Sequence, residues 1–257
     1  MKVRDWFLCG KGKENEKLMK RIVLFFILLF IVSLSSNSQD TKMVDSVQYL
    51  TSIKKEMNGV WPKNHTINLV FHGHSVVAGY QDKHEVHTFE SYPFLLLKKL
   101  KEKYPFAVIN VIITAIGGEN SLHGQKRFKK EVLPHKPDVL FIDYAGNDRS
   151  IGLQKAKKAW EKVIRVALKR HIKVILLTPT PDLRVVDQFS PSNPLALHAN
   201  QIRRLAMKYQ IGLVDSFRQF QRIEEEGGHI KDYMAMVVHP NVKGNEIIAN
   251  ELMKWFE

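Results

Sequence analysis

Cysteine is almost absent from this sequence: Cys9 stands alone, upstream of the longest apolar run. A chain processed after that run would hold none. That excludes disulfide cross-links, thiol nucleophiles and cysteine-ligated metal from the remainder. Cys9 also lies on the wrong side of the run to be a lipoprotein attachment site. Long hydrophobic stretches are scarce as well. The one that stands out, IVLFFILLFIVSL from Ile22 to Leu34, falls short of the roughly 20 residues a membrane-spanning helix needs. Recognisable nucleic-acid motifs, internal repeats and low-complexity tracts are missing.

Acidic residues are outnumbered, 26 against 39 Lys and Arg, for a formal charge of +13. Residues 1–38 hold +4 of this, leaving about +9 for the rest. Such a balance suits anionic polymers or membrane surfaces. The lysines, however, are spread over helix-like segments such as LQKAKKAWEKVIRVALKR, which reads as solvated helix faces rather than a nucleic-acid groove.

The apolar run follows Lys20 and Arg21 and leads into SSNSQD. A basic flank, a short apolar core and a small polar exit form the pattern of a secretory signal peptide, with a retained membrane anchor as the alternative. Met19 opens a complete signal peptide by itself, so the residues before it read as a mis-called start. The expected address is secreted or periplasmic.

Beyond a short helix and linker (39–65), apolar runs alternate with helical patterns. The stretches 66–72, 106–114, 138–145, 172–180 and 211–216 are rich in Val, Ile and Leu without polar alternation, as expected of parallel strands buried on both faces. Between and after them, segments near 90–104, 123–135, 152–170, 195–210 and 241–257 place apolar residues three and four apart. The alternation predicts a single α/β domain over 66–257, a three-layer αβα sandwich on a five-stranded parallel sheet. The irregular stretch 181–194, PDLRVVDQFSPSNP, is expected to form a mobile loop over the ligand edge.

Three polar clusters each follow a strand: GHSVVAG after the first, AIGGENS after the second, YAGNDRS after the third. In a parallel sheet the carboxyl ends of the strands share one edge, where ligands bind at the switch point. A fourth cluster, VVHPNVKGN, precedes the last helix. Each has a plain reading. Ser75 could cap the next helix, Gly117 and Gly118 could permit a positive-φ turn, and Asn147 with Asp148 could end a strand in an Asx turn. Asn241 is expected to cap the final helix, and Asp148 to be structural, with Arg149 pinning the loop through a carboxylate.

Taken in order, HGHS, AIGGENS, NDR and HPN resemble the four blocks of the SGNH (GDSL-type) hydrolase superfamily, in its bacterial GDSL-like lipase/acylhydrolase branch, over residues 66–256. The resemblance implies a flavodoxin-like fold, with Ser75 as nucleophile and His239 as general base. It implies an oxyanion hole from the backbone N–H groups of Ser75 and Gly118 and the side chain of Asn147. His74, Glu119 and Asn120 are expected to face substrate. The chemistry is coherent: a serine hydroxyl needs a base to become a nucleophile, and the tetrahedral intermediate needs donors for its oxyanion. No cofactor is implied. His72, His74, His84 and His87 cluster in sequence, yet their spacing matches no zinc signature, so no metal is expected.

Three positions depart from that pattern: His74 replaces the usual aspartate, Ala145 a glycine, and Met236 the acid normally three residues before the histidine. Without that acid, His239 is held either by a backbone carbonyl, giving a Ser-His dyad, or by Asp232. The expected function is a secreted serine esterase acting on small esters such as O-acetyl groups of carbohydrates. The alternatives are a lipid acylhydrolase of lysophospholipase or thioesterase type, and a catalytically weak glycan-binding module.

Overall fold

The computed structural model describes residues 43–257; the signal-peptide and translation-start readings fall outside these residues. Two short helices, α1 (Ser46–Tyr49) and α2 (Thr51–Met57), precede the first strand. The strands are β1 (Thr66–Gly73), β2 (Val108–Ile113), β3 (Val139–Asp143), β4 (Lys173–Leu177) and β5 (Gly212–Val214). They form one sheet in the order β2-β1-β3-β4-β5, with every pairing parallel. The order reverses at β1, so the crevice beside it lies between the ends of β1 and β3.

The helices that follow are α3 (Ser75–Ala78), α4 (Tyr92–Lys103), α5 (Ser121–Glu131), α6 (Leu153–Leu168), α7 (Pro194–Tyr209), α8 (Ser216–Glu225) and α9 (Val242–Met253). Alternate strand residues feed two cores. Leu69, Phe71, Phe141 and Ile175 pack with α2, α4, α8 and α9. Val70, Leu140, Ile142 and Val174 pack with α5, α6 and α7. The period of two along each strand therefore divides the helices between two faces. Burial of a large apolar side chain such as Leu or Phe contributes about 1.5–3 kcal/mol, and both layers draw on many of them.

Two expectations change in detail. β2 is an edge strand and Val108 is exposed, so its apolar composition did not mean burial on both faces. Helix α8 lies in a stretch the helical periods above leave out. Asp215 caps it by accepting from the Arg218 N–H, while Phe217 and Phe220, three apart, supply its buried face. Among the described residues, no helix is long and apolar enough to cross a membrane.

Candidate active site

Gly73 ends β1 where β3 comes so close that a Cβ would collide with the Asp143 carbonyl and the Val77 side chain. Only glycine fits there. The chain then turns sharply at His74, whose Nδ1 accepts the Val76 N–H at 3.3 Å. His74, not Ser75, is the side chain that caps α3. The hydroxyl of Ser75 is thus spared from the capping role, and its Oγ lies 2.8 Å from Nε2 of His239.

His239 reaches that position from the loop before α9. Its carbonyl accepts the Ala235 N–H at 2.9 Å, and its ring lies beside Tyr80, with centroids 6.0 Å apart. Asn241 caps α9 through the Gly244 N–H at 3.1 Å, leaving the histidine two residues upstream to face the nucleophile. Asp232 sits exposed on the 3-10 turn Ile230–Tyr233, and its backbone carbonyl accepts from the Asn241 side chain at 2.9 Å.

The second and third clusters meet at the same edge. Gly118 adopts φ +73°, and the Asn147 amide donates to the carbonyl of the next residue, Glu119, at 2.9 Å. One amide hydrogen is used there; an NH2 group has a second. Ser75, His239 and Asn147 line a cavity of about 70 Å³ together with Pro181, Arg149 and Arg184. Gly118 is on the turn beside this cavity rather than among its lining residues.

The residues expected to face substrate separate here. His74 lines the cavity. Glu119 turns its carboxylate away, bonding Arg127 through Nε at 2.9 and 3.0 Å and Nη2 at 2.5 Å, and taking the Tyr144 hydroxyl at 2.8 Å. Asn120 caps α5 by accepting the His123 N–H. Both side chains are committed to holding the Gly118 turn, because a buried carboxylate requires a cation and a helix start requires an acceptor.

A polar network underlies the site that the motifs do not announce. His74 Nε2 lies 3.5 Å from Asp143 Oδ1, and the buried Tyr92 hydroxyl donates to Asp143 Oδ2 at 3.2 Å. Asp148 is fully buried and accepts from Trp160 Nε1 at 2.6 Å and the Ser121 N–H at 2.8 Å. Burial raises its pKa, with those bonds opposing the rise. His72 bonds Thr114 and the Gly124 carbonyl, and desolvation, aided by the Arg127 charge, lowers its pKa to about 4. His87 bonds Glu85 at the surface. Tyr92, Tyr144 and Trp160 lie outside the four blocks HGHS, AIGGENS, NDR and HPN, and their polar tips tie them to this network.

A model of the GDSL-like lipase/acylhydrolase family matches residues 71–247. The chain belongs to this family. Membership places it among carboxylic ester hydrolases. Similar solved structures include a two-domain esterase active on acetylated mannans (19% identity, TM-score 0.65, 84% of this chain). This chain spans 54% of that one, about half its length. Others are the acetylxylan esterase Axe2 from Geobacillus stearothermophilus (18% identity, TM-score 0.62, 78% of this chain and 96% of that one) and the acetyl xylan esterase AlAXEase (25%, TM-score 0.58, 72% and 98%). No curated protein gives a significant match.

Proposed function

We propose that the protein is a serine esterase that removes short acyl groups, acetyl foremost, from acylated carbohydrates through an acyl-enzyme. The observation that carries this is the 2.8 Å contact between Ser75 Oγ and His239 Nε2, within the reach a general base requires. His239 takes the proton as Ser75 attacks the ester carbonyl, then returns it to the leaving alcohol. A water activated by the same imidazole releases the acid. The backbone N–H groups of Ser75 and Gly118 and the remaining Asn147 amide hydrogen stabilise the oxyanion, each donor contributing roughly 2.7–4 kcal/mol.

The size of the cavity supports a short acyl group. The space beside Ser75, about 70 Å³ and open to solvent on one side, accommodates a group the size of an acetyl. Structural neighbours that act on acetylated mannan and acetylxylan support a carbohydrate on the alcohol side. The basic flank and apolar run of residues 20–34 support export, which N-terminal sequencing of the mature protein tests.

A p-nitrophenyl ester series tests the acyl preference. Rates should peak at acetyl and fall steeply by butyryl. A peak at eight carbons or more would instead establish a lipid acylhydrolase, and no turnover with no fluorophosphonate labelling would leave only a binding module.

A further inference from the structure

Two arginines and one carboxylate meet at the rim of the Ser75 cavity. The Asp182 side chain is 3% exposed and accepts from Arg149 Nη2 at 2.6 Å, Arg184 Nε at 2.9 Å and Arg184 Nη2 at 2.8 Å. Burial opposes ionisation of Asp182, but these bonds outweigh it and hold the carboxyl below its usual range. The backbone is fixed as well. Asp182 donates its N–H to Gln188 Oε1 at 2.8 Å, and Leu183 donates to the carbonyl of Val237, two residues before His239, at 2.8 Å. Arg184 is therefore held on the side of the histidine loop.

One cation suffices to neutralise a buried carboxylate. Arg149, 26% exposed and anchored through Nε to the Gly146 carbonyl, supplies it. Arg184, 67% exposed, is the second, so the trio carries one positive charge in excess. Neighbouring groups do not cancel it. Asp143 and Asp148 are buried and bonded elsewhere, and buried His198 is uncharged near neutral pH, its pKa lowered to about 4 by desolvation and then by Arg149. Among the described residues, neither Nη1 makes a hydrogen bond, and both arginines line the same cavity as Ser75 and His239.

We propose that the substrate carries a carboxylate close to its acylated position, and that Arg184, backed by Arg149, selects it: an O-acylated sugar of the uronic acid class rather than a neutral one. This rests on the esterase reading above. A guanidinium suits the role because parallel N–H donors match the two oxygens of a carboxylate. A structural pin would need only the first arginine.

The test compares mono-acetylated methyl glucoside with mono-acetylated methyl glucuronoside, which differ only at the sixth carbon. Wild-type kcat/KM should favour the glucuronoside by about tenfold or more at low ionic strength, with the preference shrinking as salt is added. Arg184→Gln should cut the preference to below about threefold, and Arg184→Lys, which keeps the charge without the fork, should fall between. A sulfated glucoside turned over as well as the glucuronoside would overturn the carboxylate assignment. Equal wild-type rates on both sugars, with p-nitrophenyl acetate still cleaved, would overturn the anion proposal and leave the esterase standing. Failure of wild type to cleave any acetyl ester would overturn the esterase reading and this inference with it.

Discussion

His74 and Asp143 face one another beneath the Ser75 turn, Nε2 3.5 Å from Oδ1, both almost fully buried. Because His74 Nδ1 accepts the Val76 N–H, the ring proton sits on Nε2 and points at the carboxylate. The imidazole thus caps α3 with one nitrogen and meets Asp143 with the other. An aspartate at this position would also cap the helix, yet it would set two buried carboxylates against each other. His74→Asp should therefore unfold more readily in urea than His74→Asn, by about 1–3 kcal/mol at pH 7. Equal stability would show that a carboxylate at position 74 is not destabilised by Asp143.

Ser75→Ala should abolish fluorophosphonate labelling and lower kcat by at least about 10³-fold, with the urea midpoint little changed. Asn147→Ala should lower kcat by roughly 10²–10³-fold while leaving KM within about threefold, as expected for a donor used in the transition state. Undiminished labelling of Ser75→Ala would place the nucleophile elsewhere.

Asp232 is exposed and is held through its backbone rather than its carboxylate. Asp232→Asn is expected to change kcat by less than about tenfold, far below the roughly 10⁴-fold loss on replacing the aspartate of a full triad. A larger loss with the fold intact would make Asp232 the orienting acid.

Glu119 tests the reassignment from substrate contact to support. Its removal leaves the partly buried Arg127 with Glu131, 3.2 Å from Nη1, as its remaining carboxylate, so the loss should fall below the about 3–5 kcal/mol of a fully buried pair. Glu119→Gln should lower the thermal midpoint clearly while KM for p-nitrophenyl acetate stays within about twofold. A large KM effect in a stable variant would return the residue to the pocket.

Acid sensitivity follows from two buried histidines. His72 and His198 titrate at about 4 in the folded chain, against about 6.5 when solvated. Between those values the unfolded chain binds more protons, so stability falls as pH drops from about 6.5 to about 4 and levels off below. Each histidine contributes on the order of 3 kcal/mol to that loss. His198→Asn should flatten the slope of unfolding free energy against pH across this window. An unaltered slope would mean that His198 is charged in the folded state.

Much of the fold was legible because strand and helix periods are local properties. The runs around Leu69, Val111, Leu140, Val174 and Leu213 became strands, and the last α-helix begins one residue after Asn241, its cap. The misses were those where locality fails. Val108 is apolar yet exposed because β2 is an edge, and the sequence carries no mark of which strand lies outermost. Glu119 and Asn120 sit inside a block that the family resemblance links to substrate, yet their side chains found Arg127 and the start of α5.

By itself the sequence determined the parallel α/β layering and the sharing of one sheet edge by Ser75, Gly118 and Asn147, since strand direction alone brings carboxyl ends together. Tertiary structure alone decided which side chains look into the cavity. Side-chain direction depends on partners that become neighbours only on folding: His74 took the cap and freed Ser75, Asp182 drew in both Arg149 and Arg184, and His239 arrived 164 positions away in sequence to lie 2.8 Å from a hydroxyl.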